Sequence, residues 1–241
     1  MPSASLHSHE ASGHEAAGHE AAGSRGPRAY RMAKAVVAPV LRTCFRVRVE
    51  GLHHLPQQGP VILAANHLSF MDSIFLGMVT PCPISFMAKA EYFEKRRTAW
   101  IFRATGQIPL RRGSGAAADQ AMSEARDVLG EGGAVGIYPE GTRSRDGKLA
   151  RGKTGPARLA LASGAPIVPV GLAGTEAVQA PGKLLPRPFR TVTVRFGPPR
   201  RVRLIEGDSV RARLREATDN LMEAIASLSG QQPWRAMAVA G

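Results

Sequence analysis

Short apolar runs alternate with longer amphipathic segments through most of this chain. The runs of strand length are residues 61–65, 84–88, 108–110, 134–137, 167–170 and 191–196. Between them, apolar residues recur at helical spacing in residues 72–79, 92–104, 116–129, 155–163 and 209–228. Several of the runs are continuously apolar, which is typical of strands covered on both faces. The alternation predicts one layered α/β domain with a central, mostly parallel or mixed sheet flanked by helices.

The last helical segment has the clearest pattern. Its apolar face is formed by Val210, Leu214, Ala217, Leu221, Ile225 and Leu228. Asp208 stands just before this face, and we expect it to be the N-cap residue.

The two ends of the chain differ from the domain, which we place at residues 28–230. Residues 1–27 contain the repeat His-Glu-Ala-Ala-Gly, at His14 and again at His19, and almost no large apolar residue. Such a segment cannot offset its ordering entropy, so we predict a disordered low-complexity tail. Its histidines could hold a metal loosely, but a low-complexity tail is favoured and no metal site is predicted. Residues 231–241 form a second, C-terminal tail.

Residues 28–49 combine apolar residues at helical spacing with positive charge and almost no negative charge. We predict an amphipathic helix lying on a membrane surface, with Pro39 causing a kink or dividing it into two short helices. The alternative is a helix packed on the domain with a basic outer face. No run approaches the roughly 20 apolar residues that a bilayer-spanning helix needs. The prediction is therefore a peripheral protein.

Charge points to an anionic partner. The 241 residues carry a formal net charge of +13, and none of the 32 basic residues precedes Arg25. Nucleic acid, acidic lipid and phosphorylated small molecules are the candidates. No nucleic-acid-binding signature is present and aromatic residues make up only 5%, so we expect an anionic membrane surface and no nucleic acid. Two cysteines without paired spacing fit the cytoplasm, which places the protein at the inner face of the cell membrane.

The segment Asn66-His67-Leu68-Ser69-Phe70-Met71-Asp72 carries the main candidate chemistry. His67 is suited to be a general base, and Asp72 could orient its ring. On one continuous helix the two side chains would lie about 140° apart. The pair therefore requires His67 in the loop after a strand and Asp72 in the first turn of a helix. The alternative is an ordinary turn in which Asp72 caps a helix. With no enzyme nucleophile at hand, a substrate hydroxyl would make the reaction acyl transfer to an alcohol.

A second segment, Tyr138-Pro139-Glu140-Gly141-Thr142-Arg143-Ser144, follows the run at residues 134–137. Gly141 permits a turn or a close approach to a ligand, and the Arg143 guanidinium suits a phosphate. Together with the His67 segment it resembles the glycerolipid acyltransferases, in particular the 1-acyl-sn-glycerol-3-phosphate (lysophosphatidate) acyltransferases. The family blocks are read at residues 66–72, 106–112, 140–143 and 165–170, with the Ala-Lys-x-Glu element at residues 88–91.

The resemblance implies a glycerol-3-phosphate acyltransferase-like fold and an acyltransferase that makes phosphatidic acid in phospholipid biosynthesis. His67 and Asp72 would be the catalytic pair. The substrate-binding set would be Lys89, Arg112, Glu140, Gly141, Thr142 and Arg143. Pro109 and Arg111 depart from the family form, in which an aromatic residue and an aspartate are usual, and the family pattern favours Arg112 over Arg111 as the ligand-facing residue.

The implied reaction uses lysophosphatidate as acceptor and acyl-CoA or acyl carrier protein as acyl donor, without a further cofactor. Another lysolipid or glycerol phosphate could be the acceptor instead. A non-catalytic module that binds anionic lipid is the remaining alternative.

Overall fold

The fold is seen in a computed structural model that describes residues 26–111, 115–180, 183, 185–204, 206–207 and 209–232. Within this part of the chain the helices are α1 Gly26–Cys44, α2 Met71–Val79, α3 Glu91–Glu94, α4 Arg96–Ala104, α5 Gly115–Gly130, α6 Gly155–Ser163, α7 Thr175–Val178 and α8 Val210–Ser229. The strands are β1 Arg46–Glu50, β2 Val61–Ala65, β3 Ile84–Lys89, β4 Ile108–Leu110, β5 Ala134–Ile137, β6 Ile167–Ala173 and β7 Thr191–Phe196. A short 3₁₀ turn, Leu52–His54, follows β1.

The strands form one sheet in the order β1-β7-β6-β2-β5-β3-β4. Neighbouring strands are parallel except for β6 and β7, which are antiparallel. The five strands from β6 to β4 therefore run in one direction, and their carboxyl ends meet at one edge of the sheet. The predicted α/β layered fold with a mostly parallel or mixed sheet is confirmed.

Two apolar cores lie on the two faces of this sheet. Odd positions of β2, including Leu63, face α1 and α2, where Phe75 and Leu76 are fully buried. Even positions, including Ile62, face α5, α6 and α8, where Leu221 packs. This alternation explains why β2 reads as a continuous apolar run: both of its faces are covered by helices.

The predicted amphipathic helix at residues 28–49 is wrong at its C-terminal end. The helix ends at Cys44, and Arg46–Glu50 is strand β1, which pairs in parallel with β7. The sequence Arg-Val-Arg-Val-Glu alternates with period two, which suits an edge strand better than a helix. Pro39 lies inside one uninterrupted helix, so two short helices do not form.

Smaller differences concern helix ends. The predicted helix at residues 92–104 is divided at Lys95 into α3 and α4. Ser209 is the N-cap residue of α8, in place of the predicted Asp208, which lies outside the described residues. The predicted tails fall almost entirely outside the described part of the chain, although α1 already begins at Gly26. None of the helices described is both long enough and apolar enough to cross a membrane.

Candidate active site

His67 and Asp72 lie at the carboxyl end of the central strand β2. His67 stands in the loop after the strand, and Asp72 stands in the first turn of α2. The Nδ1 atom of His67 lies 2.8 Å from Oδ2 of Asp72, so the predicted contact is present. The same carboxylate oxygen accepts hydrogen bonds from the backbone N–H groups of Leu68 and Ser69, at 2.7 and 2.8 Å. Asp72 is therefore a ring partner for His67 and also fixes the turn before α2.

The backbone of His67 is held from both sides by the loop that follows β5. Its N–H donates to Oε1 of Glu140 at 2.8 Å, and its carbonyl oxygen accepts from the N–H of Ser144 at 2.7 Å. The second oxygen of Glu140 accepts from the N–H of Ala150 at 3.0 Å. Burial raises the pKa of the Glu140 carboxyl above its ordinary value, against the lowering effect of these two backbone hydrogen bonds.

Tyr138 supports the imidazole ring from one face. Its ring is stacked on that of His67 with the centroids 3.9 Å apart, and Phe86 is stacked beyond it at 5.9 Å. The Tyr138 hydroxyl is within 2.7 Å of the Ser73 hydroxyl, and burial raises the pKa of Tyr138 well above its ordinary value. This role was not predicted from the sequence. The available signal was an aromatic residue directly before the Pro139-Glu140 pair at the end of a strand.

A cavity of about 1190 Å³ opens beside His67, on the face of the sheet that α1, α2 and α4 cover. Its apolar lining includes Val37 of α1, Ile74 and Met78 of α2, and Ile101 and Phe102 of α4. The cavity is not predictable from the sequence pattern, because its walls come from segments far apart in the chain.

Tyr30 and Lys34 of α1 add polar groups to the cavity wall. The Tyr30 hydroxyl donates to the carbonyl oxygen of Gly77 at 3.2 Å, and the Lys34 ammonium donates to that of Thr80. Burial raises the pKa of Tyr30 to about 12 and lowers that of Lys34. These two contacts attach α1 to α2 along the cavity.

The predicted substrate-binding residues occupy different places. Lys89, Thr142 and Arg143 line the cavity, together with Arg145, which was not among the predicted residues. Lys89 also pairs with Glu91, at 2.6 Å.

The other members of the predicted set do not line the cavity or cannot be placed. Both oxygens of Glu140 are used by backbone N–H groups, and Gly141 (φ 70°) is a turn position beside it where glycine is favoured. Arg112 lies outside the described residues, while its neighbour Arg111 is exposed and pairs with Glu94 at 3.4 Å.

In this arrangement the His67 ring can accept a proton beside a cavity lined by cationic side chains. Because Asp72 occupies Nδ1 of His67, the Nε2 atom is the one left for chemistry, and 17% of the His67 side chain is exposed. Arg143 and Arg145 supply positive charge at the same cavity. No group of three or more His, Cys, Asp or Glu side chains that could hold a metal is found within the described ranges.

Comparisons with known proteins identify the family of this chain. The family model described as Acyltransferase matches residues 46–173. A 1-acyl-sn-glycerol-3-phosphate acyltransferase of Limnanthes douglasii is 34% identical over 154 residues, which cover 64% of this chain and 54% of that protein. A chloroplastic enzyme of the same name from Arabidopsis thaliana is 31% identical over 143 residues, 59% of this chain and 38% of that protein.

The fold is similar to that of a solved structure. The crystal structure of PlsC, the 1-acyl-sn-glycerophosphate (LPA) acyltransferase from Thermotoga maritima, superposes with a TM-score of 0.64 at 27% identity. The match covers 83% of this chain and 78% of that chain. The present chain spans only about half or less of the length of the two plant relatives. With a family model matched over more than half of its residues, the chain belongs to the acyltransferase family.

Proposed function

We propose that this protein transfers a fatty acyl group from an acyl thioester to the free hydroxyl of 1-acyl-sn-glycerol-3-phosphate and so produces phosphatidic acid. The observation that carries the proposal is the 2.8 Å contact between His67 and Asp72, placed at a cavity that Arg143 also lines. The names of the relatives at 31% and 34% identity support this acceptor.

The reaction needs one base and no enzyme nucleophile. Nε2 of His67 removes the proton from the acceptor hydroxyl as that oxygen attacks the thioester carbonyl carbon. The C–O bond forms and the C–S bond breaks. The departing thiolate then takes the proton from the imidazolium. Asp72 stabilises the imidazolium through Nδ1, as a buried carboxylate does in the serine-protease triad. General base catalysis of this type contributes about 10²–10⁴-fold, so positioning of the two substrates has to supply much of the remainder.

The cationic side chains of the cavity suit the phosphate of the acceptor, and its apolar wall suits the hydrocarbon chain. Arg143 can bind a phosphate with two parallel hydrogen bonds, and Lys89 and Arg145 lie along the same cavity. The apolar wall formed by α1, α2 and α4 suits a hydrocarbon chain. Acyl-CoA and acyl carrier protein both remain candidate donors.

We further propose that the protein acts as a peripheral enzyme at the inner, cytoplasmic face of the cell membrane. On α1, Met32 is 72% exposed and Val36 is 70% exposed. On α4, which packs beside α1, Trp100 is 65% exposed and the helix begins with two arginines. Exposed apolar residues flanked by positive charge fit the interface of an anionic bilayer.

The first test is an assay of the purified protein with acyl-CoA and a panel of acceptors. We expect turnover with 1-acyl-sn-glycerol-3-phosphate and a loss of at least about 100-fold in His67→Ala, because the base is removed. His53→Ala, an exposed histidine in the 3₁₀ turn, is the matched control and should keep the wild-type rate. Circular dichroism should show that both variants are folded.

Other results would point elsewhere. A tenth of the wild-type rate in His67→Ala would contradict the base assignment. Turnover only with another lysolipid or with glycerol phosphate would show that the proposed acceptor is wrong. Lipid binding without turnover would indicate a non-catalytic module.

A further inference from the structure

We propose that Gln231, the second residue after α8, is a positioning residue for acyl transfer. Its side chain joins Asn66, the neighbour of the catalytic histidine, to the loop that carries Arg143. The inference rests on the proposed function for its kinetic readout. Gln231 lies outside the residues 46–173 that the family model matches.

The first contact holds the residue that precedes His67. Asn66 is fully buried, and its side-chain amide pairs with the backbone of Leu172 in β6: Oδ1 accepts from the N–H at 2.7 Å, and Nδ2 donates to the carbonyl at 2.8 Å. The remaining proton of Nδ2 goes to Oε1 of Gln231, also at 2.8 Å. Without Gln231 a buried amide proton would lose its hydrogen-bond acceptor, which would lower the free energy of unfolding.

The second contact holds the loop after β5. The Nε2 atom of Gln231 donates to the carbonyl oxygen of Gly147 at 2.7 Å. Gly147 lies in the same loop as Arg143, and the N–H of Ser144 in this loop donates to the His67 carbonyl oxygen. One side chain therefore connects both segments that form the candidate site.

The donor-to-acceptor direction of these consecutive hydrogen bonds is fixed at both ends by backbone groups. The N–H of Leu172 requires an acceptor, so Asn66 must present its oxygen there and its nitrogen toward Gln231. Gln231 must in turn present its oxygen to Asn66, which leaves its nitrogen for the Gly147 carbonyl. A glutamate could replace the first contact, but its second oxygen would face a carbonyl oxygen.

The position of Gln231 is set by the end of α8. Gly230 closes the helix with φ 77° and donates its N–H to the carbonyl oxygen of Ala226. The Ser229 hydroxyl oxygen accepts from the N–H of Gln231 at 3.3 Å. Because α8 is anchored in the core by Leu221 and Ile225, Gln231 is a fixed attachment point for the two site segments.

Two near-isosteric variants separate the two contacts. Gln231→Glu keeps the acceptor for Asn66 and loses the donor to Gly147; we expect the KM for the lysophosphatidate acceptor to rise about tenfold with kcat within about twofold of wild type. Gln231→Met loses both contacts, and we expect the same rise in KM together with a fall in kcat of about tenfold. Gln232→Met, at the exposed neighbouring position, should match the wild type in both constants.

Hydrogen exchange gives a readout that does not require turnover. The amide protons of Ser144 and Ala150 should exchange faster in Gln231→Glu and Gln231→Met than in the wild type or in Gln232→Met. If kcat and the acceptor KM of both Gln231 variants stay within about twofold of wild type, the positioning role is refuted even where the melting temperature falls. If the wild-type protein transfers no acyl group, the proposed function fails, and unchanged exchange at Ser144 and Ala150 would separately refute the loop attachment.

Discussion

At the scale of single residues, almost every polar atom of His67 has an assigned partner. Asp72 holds Nδ1, Glu140 accepts from the backbone N–H, and Ser144 donates to the carbonyl oxygen. Tyr138 covers one face of the ring. The freedom that remains is at Nε2, which is where the proposed proton transfer takes place. Glu140 matters here as a backbone support, since both of its oxygens accept from backbone N–H groups and its side chain is buried.

Arg143 gives the residue-scale test of phosphate binding. Replacing it with alanine removes a charged donor from the cavity, and a hydrogen bond to a charged group contributes about 1.5–3 kcal/mol. We therefore expect Arg143→Ala to raise the KM for the lysophosphatidate acceptor roughly 10- to 100-fold, with a much smaller change for the acyl donor. Steady-state kinetics with each substrate varied in turn would measure this.

Arg126→Ala is the matched control for Arg143→Ala. Arg126 is an exposed arginine on α5, outside the cavity, so the change in net charge is the same. An equal rise in KM in the two variants would mean that overall charge, not a local phosphate contact, determines acceptor binding.

Glu140 gives a prediction about pH and stability. Because burial raises its pKa above 4.5, the folded protein binds this proton more tightly than the unfolded chain does. Its contribution to the free energy of unfolding is fully present below pH 4.5 and is lost as the pH rises through the raised pKa. Glu140→Gln lacks this titration. The unfolding free energy of the wild type minus that of the variant should therefore fall as the pH rises from about 4 to about 7.

Urea denaturation of both proteins across this pH range would measure the difference. The wild type should be most stable relative to Glu140→Gln at pH 4, where the Glu140 carboxyl binds a proton that the variant amide cannot bind. A difference that grows with pH would contradict a raised pKa.

At the scale of elements, continuous or alternating apolar runs of strand length predicted strand positions from the sequence alone. Predicted strands 61–65, 108–110, 134–137 and 191–196 have the bounds observed in the fold. Strand β1 was missed because its short alternating sequence directly continues the basic, amphipathic pattern of α1, and its pairing with β7, about 140 residues further on, is what separates the two elements. The boundary between α1 and β1 is therefore a property of the folded sheet.

The same distinction applies to the candidate site. The contact of His67 with Asp72 was predictable because both residues belong to one strand-loop-helix segment. The stacking of Tyr138, the backbone contacts of Glu140 and the cavity beneath α1 depend on neighbours far apart in sequence. Local pattern carries no information on such contacts.

The packing of β5 against β3 provides a test at this scale. A Cβ atom at Gly136 would lie 2.3 Å from a ring carbon of Phe86, and Phe86 is buried in the core. Gly136→Ala should therefore displace the Phe86 ring, which stacks on Tyr138, and destabilise the fold by about 1–3 kcal/mol. Thermal unfolding and kcat of the variant would measure both effects.

Gly130→Ala is the control for this variant. Gly130 ends α5, has no positive φ, and an added Cβ would meet no atom within 4 Å. It should be neutral or slightly stabilising. Equal stability of the two variants would show that Phe86 can move aside without cost.

At the scale of the whole molecule, the two faces of the sheet have different surfaces. The α5, α6 and α8 side buries one core, and the α1 and α2 side carries the other core and the cavity. The most exposed apolar residues of the long helices, Met32 and Val36, lie on α1, so the cavity and the proposed membrane-facing surface share one side of the molecule. Under the proposed function, a lipid acceptor would approach the cavity from this side of the molecule.

This arrangement predicts how the protein binds vesicles. Burying a methionine or valine side chain contributes about 1.5–3 kcal/mol, and an added carboxylate is repelled by an anionic surface. We expect Met32→Asp and Val36→Asp each to weaken binding to vesicles of mixed anionic and neutral phospholipid at least about tenfold in a sedimentation assay.

Val210→Asp makes the same charge change at an exposed valine of α8, on the opposite side of the sheet, and should bind like the wild type. Because electrostatic attraction is screened by salt, binding of all four proteins should weaken as ionic strength rises. Equal losses in the α1 and α8 variants would show that net charge alone drives association and that α1 is not the contacting helix.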